Sequence, residues 1–177
     1  MKSVNSSLAL AYLNRARAAA RAAPTPRPKG DTRTADKFVI RGYEELYAEL
    51  DGIARHQGRS RNSEVQSAVL EALGGWVRST AMLNILIEHL GDEVSTQILA
   101  DISDFELKKC KKEDKFVLRF PPNVRNKVKE GIDSAELDAV SMNGWFLTVL
   151  VRWVNVQRKH YALLSAAIVV NPTLVGE

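Results

Sequence analysis

Asp36-Lys37-Phe38-Val39-Ile40-Arg41 and Asp114-Lys115-Phe116-Val117-Leu118-Arg119 agree at every position except one Ile/Leu exchange, at an offset of 78 residues. Each is a short β-prone run whose alternation puts apolar residues on one face: Phe38 and Ile40 in the first, Phe116 and Leu118 in the second. Lys37, Val39 and Arg41, and likewise Lys115, Val117 and Arg119, fall on the other face. A strand of this length has no independent stability, so what flanks it decides the fold.

The flanks repeat as well. After the first run, Leu46, Leu50 and Ile53 stand at helical spacing until Gln57-Gly58 ends the helix. Ser60 is placed to cap a second helix, with Glu64 in the first turn where the dipole favours an anion. Val65, Ala68, Val69, Ala72, Leu73 and Trp76 then recur at steps of three and four, a wide stripe for burial, and Gly74-Gly75 interrupts it. After the second run, Pro121 and Pro122 can open a helix, since first-turn amides have no intrahelical partner to lose, and Val124, Val128 and Ile132 form its stripe. An acidic connection with Glu136 and Asp138 leads to Ser141, a cap for a helix burying Phe146, Val149, Leu150, Trp153 and Val154. Those five align with Val65, Ala68, Val69, Ala72 and Leu73 at an offset of 81, so the second copy has three extra residues between its helices.

Each copy therefore reads strand, helix, helix in about 45 residues, too few to close a good core unaided. Two copies solve this together when their strands pair antiparallel and their four helices share one core, leaving the outer face of the ribbon free. The copies can pair within one chain, or each can pair with its twin in a homodimer. The connector favours the first arrangement. It reads as two packed helices, Ser79 to Leu90 and Asp92 to Leu107, separated by Gly91. The expected organisation is a basic helix and Pro-rich linker at 1–35, copy one at 36–77, a helical connector at 78–113, copy two at 114–160 and a tail at 161–177. The fold class is mainly α with short β-strands.

Net charge is only +4, but residues 1–37 hold eight cations against two acids, so the rest of the chain sums to −2. A basic arm on a near-neutral body suits a polyanion such as double-stranded DNA, because each cation set on a phosphate releases condensed counterions. The competing reading of Ser6 to Ala23, Ala-rich, Arg-bearing and acid-free, is an amphipathic targeting helix. No apolar run has membrane-spanning length. One cysteine, Cys110, excludes an intrachain disulfide and fits a reducing cytoplasmic setting. His56, His89 and His160 lack metal-ligand spacing, and no nucleophile motif or paired-carboxylate site stands out. The expectation is a non-enzymatic protein with no cofactor, metal, membrane or small-molecule partner, in which Trp76, Trp145 and Trp153 belong to the core.

These residues resemble the Arc repressor family of ribbon-helix-helix proteins, in the superfamily of β-ribbon readers of the major groove. Lys37 to Val65 follows the family pattern without a gap, including Gly58-Arg59-Ser60 and Asn62-Ser63-Glu64. Copy two keeps the strand, Pro121 and Ser141-Met142-Asn143, and departs in its longer turn and in Trp145 where copy one has Glu64. The resemblance implies that Lys37, Val39, Arg41, Lys115, Val117 and Arg119 read base edges: Arg and Lys at guanine O6 and N7, Val at a thymine methyl. It also implies that Ser60, Arg61, Asn62, Ser141 and Asn143 hold phosphate at helix starts. Arg33, Lys111 and Lys112 are further phosphate candidates by charge. The family's buried Arg-Glu-Arg cluster survives in part as Arg59 and Glu64, with Ala68 at the third position.

The function so implied is sequence-specific DNA binding by a repressor of a phage, prophage or mobile element, with higher oligomers on DNA through the central helices. An accessory protein of conjugation or partition and an antitoxin-like interaction protein are the alternatives. The valines at the central reading positions keep the last alive. The two unlike copies suggest a ribbon with unlike halves and a target that need not be a palindrome.

Overall fold

The computed structural model describes residues 36–120 and 141–175, together with 124, 126–128 and 130 between them. The basic segment with Arg33, and Pro121, Pro122, Ile132, Glu136 and Asp138, lie outside the described residues. The elements are β1 (Asp36–Tyr43), α1 (Glu44–His56), α2 (Arg61–Leu73), α3 (Val77–Leu90), α4 (Asp92–Ala100), a 3-10 turn (Leu107–Lys109) and β2 (Glu113–Phe120). Helical residues follow at 124, 126–128 and 130, then α5 (Met142–Val170) and a 3-10 turn (Pro172–Val175).

β1 and β2 pair antiparallel within the chain, in a register that sets Lys37 opposite Arg119, Val39 opposite Val117 and Arg41 opposite Lys115. Of the two pairing arrangements the repeat allows, this is the intrachain one. The period-2 pattern explains why a two-stranded ribbon survives: Phe38, Ile40, Leu118 and Phe120 are buried beneath it. Phe38 meets Phe120 and Phe146 edge-on at ring centroid distances of 5.5 and 5.2 Å. The layer below comes from α1 (Leu46, Tyr47, Leu50), α2 (Val65, Ala68, Val69) and α5 (Phe146, Leu150, Val154), with Val128 among them. Each fully buried side chain of this size contributes about 1.5–3 kcal/mol over exposure, so the shared core supplies what neither 45-residue copy supplies alone.

Local signals set the element ends. Ser60 Oγ accepts from the Ser63 amide at 3.3 Å and Ser141 Oγ from the Gly144 amide at 3.1 Å, so both expected caps form. Gly58, at φ +66°, turns the chain out of α1. Gly42 permits a close approach: a Cβ there would stand 2.8 Å from the Tyr47 hydroxyl, which donates to the Ile40 carbonyl at 3.0 Å.

Three expectations change. Trp76 does not extend the α2 stripe: it sits in the left-handed region (φ 63°) at the start of α3, its ring buried and covered by the Arg152 guanidinium at 4.5 Å. The second connector helix stops at Ala100 rather than Leu107. Phe105 is instead held through its backbone by Asn155 of α5, at 2.6 and 3.3 Å. Last, the boundary placed at 160/161 falls inside α5, which continues to Val170 because Leu163 and Ala167 prolong its buried stripe and α3 packs along it. Among the described residues no helix is long and apolar enough to cross a membrane.

Candidate nucleic-acid interface

The outer face of the ribbon carries Lys37, Val39 and Arg41 from β1 and Lys115, Val117 and Arg119 from β2, all exposed. Val39 and Val117, 57% and 49% exposed, face each other at its centre. Among the described residues none of the four cations on this face is in an ion pair. Four cations are thus spaced along the ribbon without an ion pair among the described residues, with the exposed Glu113 at the end of the same face.

The side chains of Asn62 and Asn143, expected at phosphate, bond the backbone of the ribbon in this structure. The Asn143 side chain accepts from the Arg41 amide and donates to the Arg41 carbonyl, both at 2.8 Å. Asn62 does the same to Arg119, accepting at 3.0 Å and donating at 3.4 Å, and Gln66 adds a second donor to that carbonyl at 2.5 Å. Each helix start therefore clamps the free edge of the strand belonging to the other repeat. Two-stranded ribbons leave both edges unpaired, and the clamps satisfy the backbone groups of Arg41 and Arg119, two residues from the central valine of each strand.

Arg61, also expected at phosphate, forms a two-point ion pair with Asp51, with Nε to Oδ1 at 2.8 Å. Its guanidinium lies 5.5 Å from the centroids of both Tyr47 and Phe116. The pairing holds the Asp51 carboxyl below its ordinary value, and burial raises the Tyr47 phenol to about 12. Lys111 and Lys112 are anchored through their backbone: Glu45 Oε1 accepts from the two amides at 2.9 and 3.4 Å, which holds that carboxyl low. The Lys112 ammonium stands 3.3 Å from Glu44, and the Lys112 carbonyl accepts from the Glu44 amide at 2.8 Å. This join seats the end of the connector on the start of α1. Ser60 and Ser141 are exposed caps.

Below the ribbon, Glu64 is fully buried. One carboxylate oxygen receives Arg59 Nε, and the other receives Trp153 Nε1 of α5 at 2.6 Å. Arg59 also donates to Ser67 Oγ at 3.1 Å. Trp153 thus supplies the second donor to this carboxylate from a helix 89 positions along the chain. The positions related by the 81-residue offset are Trp145 and Ala72, so carboxylate-with-indole on one side answers to indole-with-methyl on the other. The sequence showed Asn62 and Asn143 at matching places, two residues after each cap; their partners were not visible in it.

No curated protein and no solved structure matches the chain. Residues 32–75, which include β1, α1 and α2, match the model of the Arc-like DNA binding domain, so this β-α-α unit is similar to a DNA-binding domain of that kind.

Proposed function

We propose that residues 114–160 are a second ribbon-helix-helix unit, that the chain is a pseudo-dimer in one polypeptide, and that it acts as a transcriptional repressor of a phage or mobile element. The observation that carries this reading is the antiparallel ribbon with four unpaired cations on its exposed face. Inserted in the major groove, Arg41 and Arg119 reach guanine O6 and N7, Lys37 and Lys115 donate to the same acceptors, and Val39 and Val117 meet thymine methyls. The N-terminal amides of α2 and α5, beside Ser60 and Ser141, face the phosphates that flank the groove.

The register changes one expectation about the target. A two-fold rotation about the Val39–Val117 pair exchanges Lys37 with Lys115 and Arg41 with Arg119. The outward residues of the two strands are the same, Lys, Val and Arg in order, so the sequence read by the ribbon is a near-palindrome.

The test is binding to genomic fragments by wild type and by the Lys37→Ala/Arg41→Ala and Lys115→Ala/Arg119→Ala variants. Each lost base contact costs about 1–3 kcal/mol and relaxes preference on one side of the site. If neither pair of substitutions alters sequence preference, the ribbon does not read DNA. Repression of a reporter by the bound site, without effect on nicking or segregation, separates a repressor from an accessory protein.

A further inference from the structure

We propose that the exposed face of α3, with the cleft beside it, is the contact surface for a second copy of this chain. α3 packs along α5 with Ser79 buried and Leu83, Leu86 and Leu90 half-buried, yet Met82 and Ile85 remain 50% and 65% exposed. Across from them Leu164 of α5 is 43% exposed. Between the two helices runs a cleft of about 740 Å³ whose apolar wall includes Ala81, Met82, Ile85, Leu86, Trp153 and Leu164. Its polar lining is already engaged: His160 Nε2 stands 2.9 Å from the Ser79 carbonyl, and Gln57 donates to Gln157 at 3.2 Å and to Tyr161 at 2.7 Å. Its two arginines each sit on a buried carboxylate, Arg59 on Glu64 and Arg78 on Glu71. Such a surface calls for an apolar occupant, and contiguous exposed apolar area on a soluble protein marks an interface.

The charge pattern identifies the occupant. The exposed stripe of α3 runs Arg78, Met82, Ile85 and then Glu88, at helical spacing, and no charged residue lies between 78 and 88. Arg78 is 74% exposed despite its contact with Glu71, and Glu88 is exposed and in no ion pair among the described residues. Two copies of α3 packed antiparallel set Arg78 of each chain beside Glu88 of the other and Met82 against Ile85. A parallel packing sets like charges together. The stripe is therefore complementary to itself under a two-fold rotation, which gives a closed dimer rather than a filament. No ribbon residue takes part, so the dimer carries two free ribbons.

Sedimentation velocity of the full chain over a concentration series tests this, with circular dichroism as the control for folding. The wild type dimerises; Ile85→Asp, at a site too exposed to matter for the fold, weakens the dimer by at least about tenfold. Glu88→Arg sets arginine against Arg78 and weakens it at low salt, with recovery as salt screens the repulsion. A wild type that stays monomeric up to about 100 µM overturns the proposal, since the cleft then serves another occupant. So does a dimer that Ile85→Asp leaves intact, or one indifferent to Glu88→Arg at low salt.

Discussion

Replacing Trp153 by Phe removes one hydrogen bond from a fully buried carboxylate, and its cost measures how firmly the two repeats are joined. Trp153 Nε1 donates to Glu64 Oε1 at 2.6 Å, and both side chains are buried to within 1%. A hydrogen bond to a charged group contributes about 1.5–3 kcal/mol, and here it is made to a fully buried carboxylate oxygen. The smaller ring adds a packing loss of about 1 kcal/mol. The expected total is about 2.5–4 kcal/mol, or about 5–16 °C in Tm for a chain of this length. Urea unfolding followed by far-ultraviolet circular dichroism reads it as a shift in midpoint at constant slope. The hydrogen-bond part is isolated in a Glu64→Leu background, where Arg59, whose side chain is 32% exposed, can turn to water. There Trp153→Phe retains only its packing cost, and the difference is a coupling energy of about 2 kcal/mol. Equal costs in the two backgrounds would refute a Glu64–Trp153 bond across the repeats.

The strand clamps predict an order: Asn143→Ala, which loses two bonds of 2.8 Å, costs about 1–2 kcal/mol, and Asn62→Ala, with its longer bonds and Gln66 as a second donor, costs less. Amide exchange at Arg41 and Arg119 should speed up only on the strand whose clamp is removed. Burial pushes the His160 imidazole below its ordinary 6.5, against the smaller opposing effects of the Ser79 carbonyl and Glu71. The unfolded chain therefore takes up the proton first, so this stability is present above about pH 6.5 and is lost as the pH falls below it. His160→Gln should flatten the urea midpoint between pH 7.5 and 5 (about two units spanning the titration), and an unchanged slope would dismiss the effect. Gly58→Ala should cost about 1–2 kcal/mol through backbone strain alone, because φ is +66° and nothing lies within 4 Å of the added Cβ; a neutral substitution would mean the turn relaxes.

The first β-α-α unit was legible almost residue by residue. The alternation of Phe38 and Ile40 with Lys37, Val39 and Arg41, the Gln57-Gly58 stop and the Ser60 cap are properties of neighbouring residues, and local sterics and local hydrogen bonds decide them. The connector was less legible. Its first helix emerged two residues early and its second seven residues short, because Asn155, some fifty positions away, fixes the backbone of Phe105. Trp76 misled for a similar reason: helical spacing cannot reveal a left-handed turn that carries the ring to the same core by another route.

The polar site residues divide along the same line. The family resemblance implied that Arg61, Asn62 and Asn143 hold phosphate, and chemically they are able to. Folding gave them nearer partners: Asp51 lies ten positions from Arg61, Arg119 lies 57 from Asn62, and Arg41 lies 102 from Asn143. By itself the sequence determined that the strand motif of Asp36 to Arg41 returns at Asp114 to Arg119 and which face of each strand is polar, since periodicity encodes which way a side chain points. The tertiary structure alone decided that the two strands pair in one chain about Val39 and Val117, and which atoms meet Glu64, Asn62 and Asn143. Hydrogen bonds need matched geometry between groups far apart in the chain, and only the packing of a shared core supplies it.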